Sequence, residues 1–196
     1  TSNEATRLKM DDTPEGQEKY IRYLASAAKS VTSVEESGIS EKSWKGLDPG
    51  VYLGLAGRNK AFFVVHWKLT PHALLPAHCH PETSVCTLGI EGQSRLRHFQ
   101  PDPDAPSYLH DRETVFRVFE TQRLDLRAGT ISTLTEHRDN IHLFEAGPDG
   151  ARGIDITTSY GGDGSFSFLA FDQHEVGDSA DDVYFARWTG QNPPTG

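Results

Sequence analysis

The chain of 196 residues carries a net charge of −9, with 36% apolar residues, 18 glycines and 11 prolines. Its length allows one well-cored domain, and its composition fits a loop-rich β protein better than a helical one. The acidic balance argues against nonspecific binding to nucleic acid or anionic membranes, and no apolar run approaches the roughly 18 residues that span a bilayer.

The chain begins at Thr1 rather than methionine. That suits a soluble cytoplasmic protein trimmed at its start, or a periplasmic or secreted one that has lost a targeting segment. Residues 1–12 read as a polar, loosely held lead-in. Thr13-Pro14 has the form of an N-cap with proline at the first helical position. Tyr20, Leu24, Ala27 and Val31 then recur at helical spacing, so a helix is expected over about 14–32. A second short helix is expected between Glu35 and Leu47, and Asp48-Pro49-Gly50 reads as a turn.

From Val51 the pattern is β. Strands are expected at 51–55, 61–69, 83–88, 94–99, 114–119, 121–126, 130–134, 142–145, 152–158, 165–171 and 183–188. Such short, evenly spaced strands suggest a closed or double-sheet barrel. Residues 100–111 read as a surface loop over a barrel mouth, and 189–196 as a frayed tail. The expected organisation is a helical appendage over 1–50, a barrel over 51–188 and a C-terminal tail, with no internal repeat.

The stretch His78–Gly92, HCHPETSVCTLGIEG, carries the chemistry. Side chains alternate along a strand, so His78 and His80 point the same way and offer half of a metal site. Pro81 cannot continue a ladder, and Gly89 and Gly92 suggest a turn. A third ligand must come from elsewhere: His142 in DNIHLFEAG is the best candidate, and His137 in TEHRDN its competitor. Asp155 lies in an apolar strand, where a carboxylate is costly unless it is bonded. It points either outward, or inward to orient a ligand histidine or meet substrate, the reading preferred here. Cys79 and Cys86 are a weak basis for a disulfide.

Three separated segments in order, His78–Gly92, Asn140–Phe144 and Ile154–Ile156 with Tyr160 after, resemble the cupin-fold thiol dioxygenases. The likeness is closest to the branch of cysteamine dioxygenase and the plant cysteine oxidases. It implies a mainly β protein, a cupin-type double-stranded β-helix with an N-terminal helical appendage. It also implies one Fe(II) held by His78, His80 and His142, with O₂ as co-substrate. The other substrate is a small-molecule thiol, or a peptide with an N-terminal cysteine, oxidised to the sulfinate. Ser84 and Val85 stand where many cupins place a glutamate ligand, which leaves an all-histidine set. Asp155, Cys86 and Tyr160 are the candidate catalytic residues. The family's Cys–Tyr crosslink is not expected, because Cys86 falls one residue late and Thr157 stands in the tyrosine's place. No arginine occupies Val51–Leu55, where the free-cysteine branch anchors the substrate carboxylate, so a thiol without an adjacent carboxylate is expected. The alternatives are a three-histidine cupin using copper, nickel or zinc as a lyase, isomerase or oxidase, and a non-catalytic metal- or ligand-binding cupin.

Overall fold

The computed structural model describes residues 6, 9, 11–31, 49–106, 113–161, 166–176 and 182–192. Helix α1 spans Pro14–Ala28, and nine strands follow. These are β1 (Val51–Arg58), β2 (Phe63–Leu69), β3 (Leu74–Cys79), β4 (Thr83–Pro101), β5 (Phe116–Arg127), β6 (Ile131–Leu134), β7 (Ile141–Ser159), β8 (Phe166–Val176) and β9 (Asp182–Asn192). The short helix expected at 35–47 lies outside the described residues.

Two long strands organise the fold. The first half of β7 pairs with β3 and with Ser94–Phe99 of β4, while its second half pairs with β2 and with Thr83–Gly92 of β4. β4 and β7 therefore run through two sheets. The front sheet has the order β3-β7-β4-β5, and the back sheet β1-β2-β7-β4-β6. Two antiparallel sheets sharing bent strands in this way make a double-stranded β-helix. β8 and β9 then pair with each other, β8 with the free edge of β3, and β9 with that of β5. That closes a second ring of six strands on the outer side of the front sheet.

Several expected pairs of strands are single strands. Residues 83–88 and 94–99 are both β4, because Gly92 (φ 68°) supports a bulge rather than a chain reversal. A Cβ at Gly92 would lie 2.2 Å from the carbonyl oxygen of Gly150, itself at φ 76° where β7 bends alongside. β5 and β7 likewise each absorb two expected strands. β3 went unrecognised because Pro76 interrupts it. The register breaks between Leu75 and His78, so the missing N–H of proline falls at a bulge. β9 continues to Asn192, into the segment expected to fray.

Three apolar layers hold the sheets. Trp67, Leu69, Leu96, Leu126, Phe144 and Ala146 fill the space between front and back sheets. Phe99, Phe116, Leu143, Leu169, Tyr184 and Trp188 fill the ring. α1 covers the outer face of the back sheet through Tyr20, Ile21, Leu24 and Ala28, packed on Cys86, Leu88, Ile154 and Ile156. The helix starts as expected, with Thr13 Oγ1 accepting from the Gly16 amide at 3.1 Å. It ends at Ala28, before the expected limit, and Ala27 is exposed. Each buried Leu, Ile or Phe in these layers stabilises the fold by roughly 1.5–3 kcal/mol. Among the described residues no helix is long and apolar enough to cross a membrane.

Candidate metal centre

His78 lies at the end of β3, His142 at the start of β7, and the two are direct partners in the ladder. His80 follows just beyond β3. The structure brings these three together: Nε2 of His142 lies 3.0 Å from Nε2 of His78 and 3.0 Å from Nε2 of His80. The rings meet edge to face, with centroids 4.5–4.9 Å apart. His137, the competitor, is exposed beside Glu136 and does not join the cluster.

The donor set fits a transition-metal ion. Two imidazole nitrogens at about 2.1 Å from one ion and at right angles are about 3.0 Å apart. Burial pushes the His78 imidazole down to about 4, although its bond to Pro76 pulls the other way. Burial, and then the charge of neighbouring histidines, hold His80 and His142 well below the ordinary range. All three are therefore neutral ligands at pH 7, as metal binding requires. His78 has a fixed tautomer: its Nδ1–H donates to the Pro76 carbonyl at 2.7 Å, which leaves Nε2 bare. The bulge at Pro76 thus has a use at the site. Phe168 packs on His78 (centroids 5.8 Å apart) and Phe144 on His142 (4.8 Å), forming an apolar wall. His142 Nδ1 is buried and has no hydrogen-bond partner among the described residues.

The other sequence-derived candidates separate by strand parity. Asp155 is opposite Val65 and Thr87 in the ladder, and it points between the sheets. It accepts a hydrogen bond from Thr87 Oγ1 at 2.6 Å. The Trp67 indole N–H is near enough to favour its charge, but not in hydrogen-bonding geometry. Burial dominates, raising its pKa to about 6. Asp155 is not among the clustered donors. Cys86 faces the opposite way, into the layer under α1, and burial raises its thiol to about 12. Tyr160 lies in that same layer, its hydroxyl 3.2 Å from Ser84 Oγ, and burial raises it to about 12. Neither residue is placed with the histidines, because even-numbered positions in this part of β4 and at the end of β7 point outward. Both cysteines are free.

The sequence pattern does not single out His98. His98 is the ladder partner of His142, with ring centroids 5.9 Å apart. Its Nδ1–H donates to the Asp139 carbonyl at 3.3 Å and its Nε2 accepts from Ser132 Oγ at 2.7 Å, so both nitrogens are engaged away from the cluster. Its parity with Leu96 was the available signal. Among the described residues no lysine or arginine is buried, and Asp155 is a buried carboxylate between the sheets, whereas the Glu120 side chain, 5% exposed, is paired with Arg97 and Arg123. Arg58 sits opposite Phe63 at the end of β1, exposed at the rim.

No family model matches the sequence, and no curated protein matches it. Solved structures give distant matches. KdgF from Halomonas sp. is 14% identical, with 63% of this chain and 94% of that chain covered at a TM-score of 0.42. An uncharacterised Klebsiella pneumoniae protein with a double-stranded β-helix domain is 16% identical, with 71% and 96% covered at 0.44. A recombinant oxalate oxidase in complex with glycolate is 13% identical, with 68% and 62% covered at 0.46. Likenesses this remote say nothing of activity. The strand pairing defines a cupin fold, and the site is a three-histidine cluster able to hold a metal ion.

Proposed function

We propose that the protein is a mononuclear non-haem Fe(II) dioxygenase that converts a thiol to a sulfinate. The observation that carries this reading is the donor set, three neutral imidazoles with no carboxylate among them. The reaction joins R–SH and O₂ to give R–SO₂H, so both oxygen atoms end on sulfur and no further reductant is needed. An Fe(II) ion at His78, His80 and His142 would lower the thiol pKa and give thiol and O₂ a common meeting point. The chain's own residues do the rest. Pro76 fixes the His78 ring, and Phe144 and Phe168 keep water from one side of the cluster. Asp155 supplies a buried negative charge between the sheets.

That charge bears on the substrate. A thiol carrying an ammonium group suits a space with a buried carboxylate and, among the described residues, no buried cation, whereas a free carboxylate there meets no buried lysine or arginine among them. Cysteamine or a peptide with an N-terminal cysteine is therefore favoured over cysteine and 3-mercaptopropionate. The margin is roughly 10- to 150-fold in kcat/KM, the worth of one charge-assisted hydrogen bond.

The test is metal analysis of the purified protein, with O₂ uptake and sulfinate formation followed for those four thiols. Iron with thiol-dependent O₂ consumption supports the reading. Copper, nickel or zinc with turnover of a different kind replaces it with another cupin reaction, and metal without turnover replaces it with a binding role. Cysteine or 3-mercaptopropionate ahead by tenfold overturns the substrate assignment and points to Arg58 as a carboxylate anchor.

A further inference from the structure

We propose that Asn140 is a positioning residue that holds His80 in its ligand geometry by bracketing its backbone N–H and carbonyl with one side-chain amide. The proposal rests on the reading that the three histidines bind a metal ion, and not on the reaction that follows.

β3 stops one residue too early to carry His80. Its pairing with β7 ends at Cys79 and Ile141, and its pairing with β8 ends at Cys79 and Ser167. Beyond His80 the chain turns sharply, since Pro81 has no N–H and Glu82 takes φ 50°. His80 thus lies just past the end of β3, although its ring must meet two others within 3.0 Å of one nitrogen.

The Asn140 side chain orients this backbone. Its Oδ1 accepts the His80 N–H at 2.8 Å, and its Nδ2 donates to the His80 carbonyl at 2.9 Å. An antiparallel neighbour exchanges the same pair of bonds with a strand residue. The amide has only one workable orientation, because Nδ2 also donates to the Thr135 carbonyl at 3.1 Å. Reversing it would set oxygen against two carbonyls.

The fold holds Asn140 in place without help from an ion. Thr135 and Arg138 exchange backbone bonds of 2.9 and 3.3 Å, and the Asp139 amide, at φ 57°, donates to Gln100 Oε1 at 2.9 Å. Arg138 Nε reaches Glu18 of α1 at 2.7 Å. Asn140 is also two residues from His142, so one short segment sets the positions of two of the three imidazoles. Groups that orient ligands in this way tune metal affinity by roughly 10- to 100-fold.

The experiment is a Co(II) titration of the metal-free full chain, followed by its visible absorption, for wild type, Asn140→Ala and Asn140→Ser. Thermal unfolding of each metal-free protein runs alongside. The expected result is Co(II) binding by the wild type and roughly 10- to 100-fold weaker binding by both variants, with altered absorption bands. Asn140→Ser keeps a small polar group and carries the test if the alanine variant does not fold. In a His80→Ala background, Asn140→Ser should weaken Co(II) binding no further. Folded variants with wild-type affinity and spectrum overturn the proposal, as does an undiminished effect in the His80→Ala background. A wild type that takes up no Co(II) overturns the metal-site reading itself, so the two failures are distinct.

Discussion

The two faces of the front sheet are made by the same strands and do opposite things. His78, Leu96, His98, His142 and Phe144 point toward the back sheet, whose inward-facing side chains include Trp67, Thr87 and Asp155, and Phe144 meets Trp67 with ring centroids 5.2 Å apart. Their immediate neighbours Cys79, Phe99, Ile141 and Leu143 point into the ring closed by β8 and β9. That ring is aromatic: Phe99, Phe171 and Tyr184 form a mutual cluster with centroids 5.0–5.5 Å apart, and Phe116 stacks near Trp188 at 5.2 Å. Its charged feature is peripheral, where Glu120 accepts from Arg97, Arg123 and Tyr184. Alternation along a strand thus separates chemistry from cohesion. Substitutions one residue apart should fail in different assays.

The largest contrast is expected at His142. Replacing it by alanine removes a third of the donors, and two imidazoles hold a divalent ion weakly, so most bound metal should be lost. His137→Ala, on an exposed side chain, should leave the metal content intact. Plasma emission analysis of both variants decides, and the reverse pattern would break the assignment of the third ligand.

In the ring, Trp188→Ala should cost about 3–5 kcal/mol of stability, measured by denaturant unfolding, with metal per folded molecule unchanged. Trp188 is buried and its indole N–H donates to the Pro106 carbonyl at 2.9 Å. Loss of metal in step with stability would mean that the two faces are not independent.

Asp155 and Glu120 should give opposite pH signatures. Asp155 keeps its proton in the folded state up to about 6, against 3.8 in the unfolded chain. Folding therefore binds a proton across that window, and stability falls as pH rises through it. The rise from 3.8 to about 6 corresponds to at most about 3 kcal/mol. Asp155→Asn should recover up to that amount at pH 7, since Thr87 can still donate to the amide oxygen. Turnover should fall roughly 10-fold or more. Unchanged kinetics in a well-folded variant would remove Asp155 from the chemistry.

For Glu120, burial alone would raise the carboxyl, but hydrogen bonds from Arg123, Arg97 and Tyr184 outweigh it and hold the pKa at about 2. Its stabilisation is present above 4.5 and is lost as pH falls toward 2. Water screens this rim cluster, so Glu120→Gln should cost about 1–2 kcal/mol at pH 7 and flatten the acid limb of the stability curve. An acid limb as steep as that of the wild type would show that the cluster contributes nothing.

Much of this arrangement is legible in the sequence, with identifiable gaps. The β pattern after Val51 and the helix start at Thr13-Pro14 follow from local chemistry alone. The grouping of His78 with His80 was read from strand parity, yet His80 lies past the strand end and is placed by Asn140, a contact across 60 residues that no local pattern contains. Glycines 89 and 92 signalled a turn because glycine serves reversals and bulges alike, and only the partner strand decides between them. Pro76 hid β3 for a related reason, since its effect depends on where the register breaks. Cys86 and Tyr160 are candidates through the resemblance, and sequence order does not show that they lie in the layer under the helix.

The passage of β4 and β7 through both sheets also limits how such a chain can change in length. Inserting or deleting one residue between His142 and Asp155 would rotate one sheet's side chains by half a turn relative to the other's. Leu143 would then occupy the place of a ligand, and a histidine would be buried among phenylalanines. Loss and gain of residues should therefore be confined to connections such as Ala128-Gly129, while the interval from Thr83 to Phe99 and that from Ile141 to Ser159 keep a fixed count.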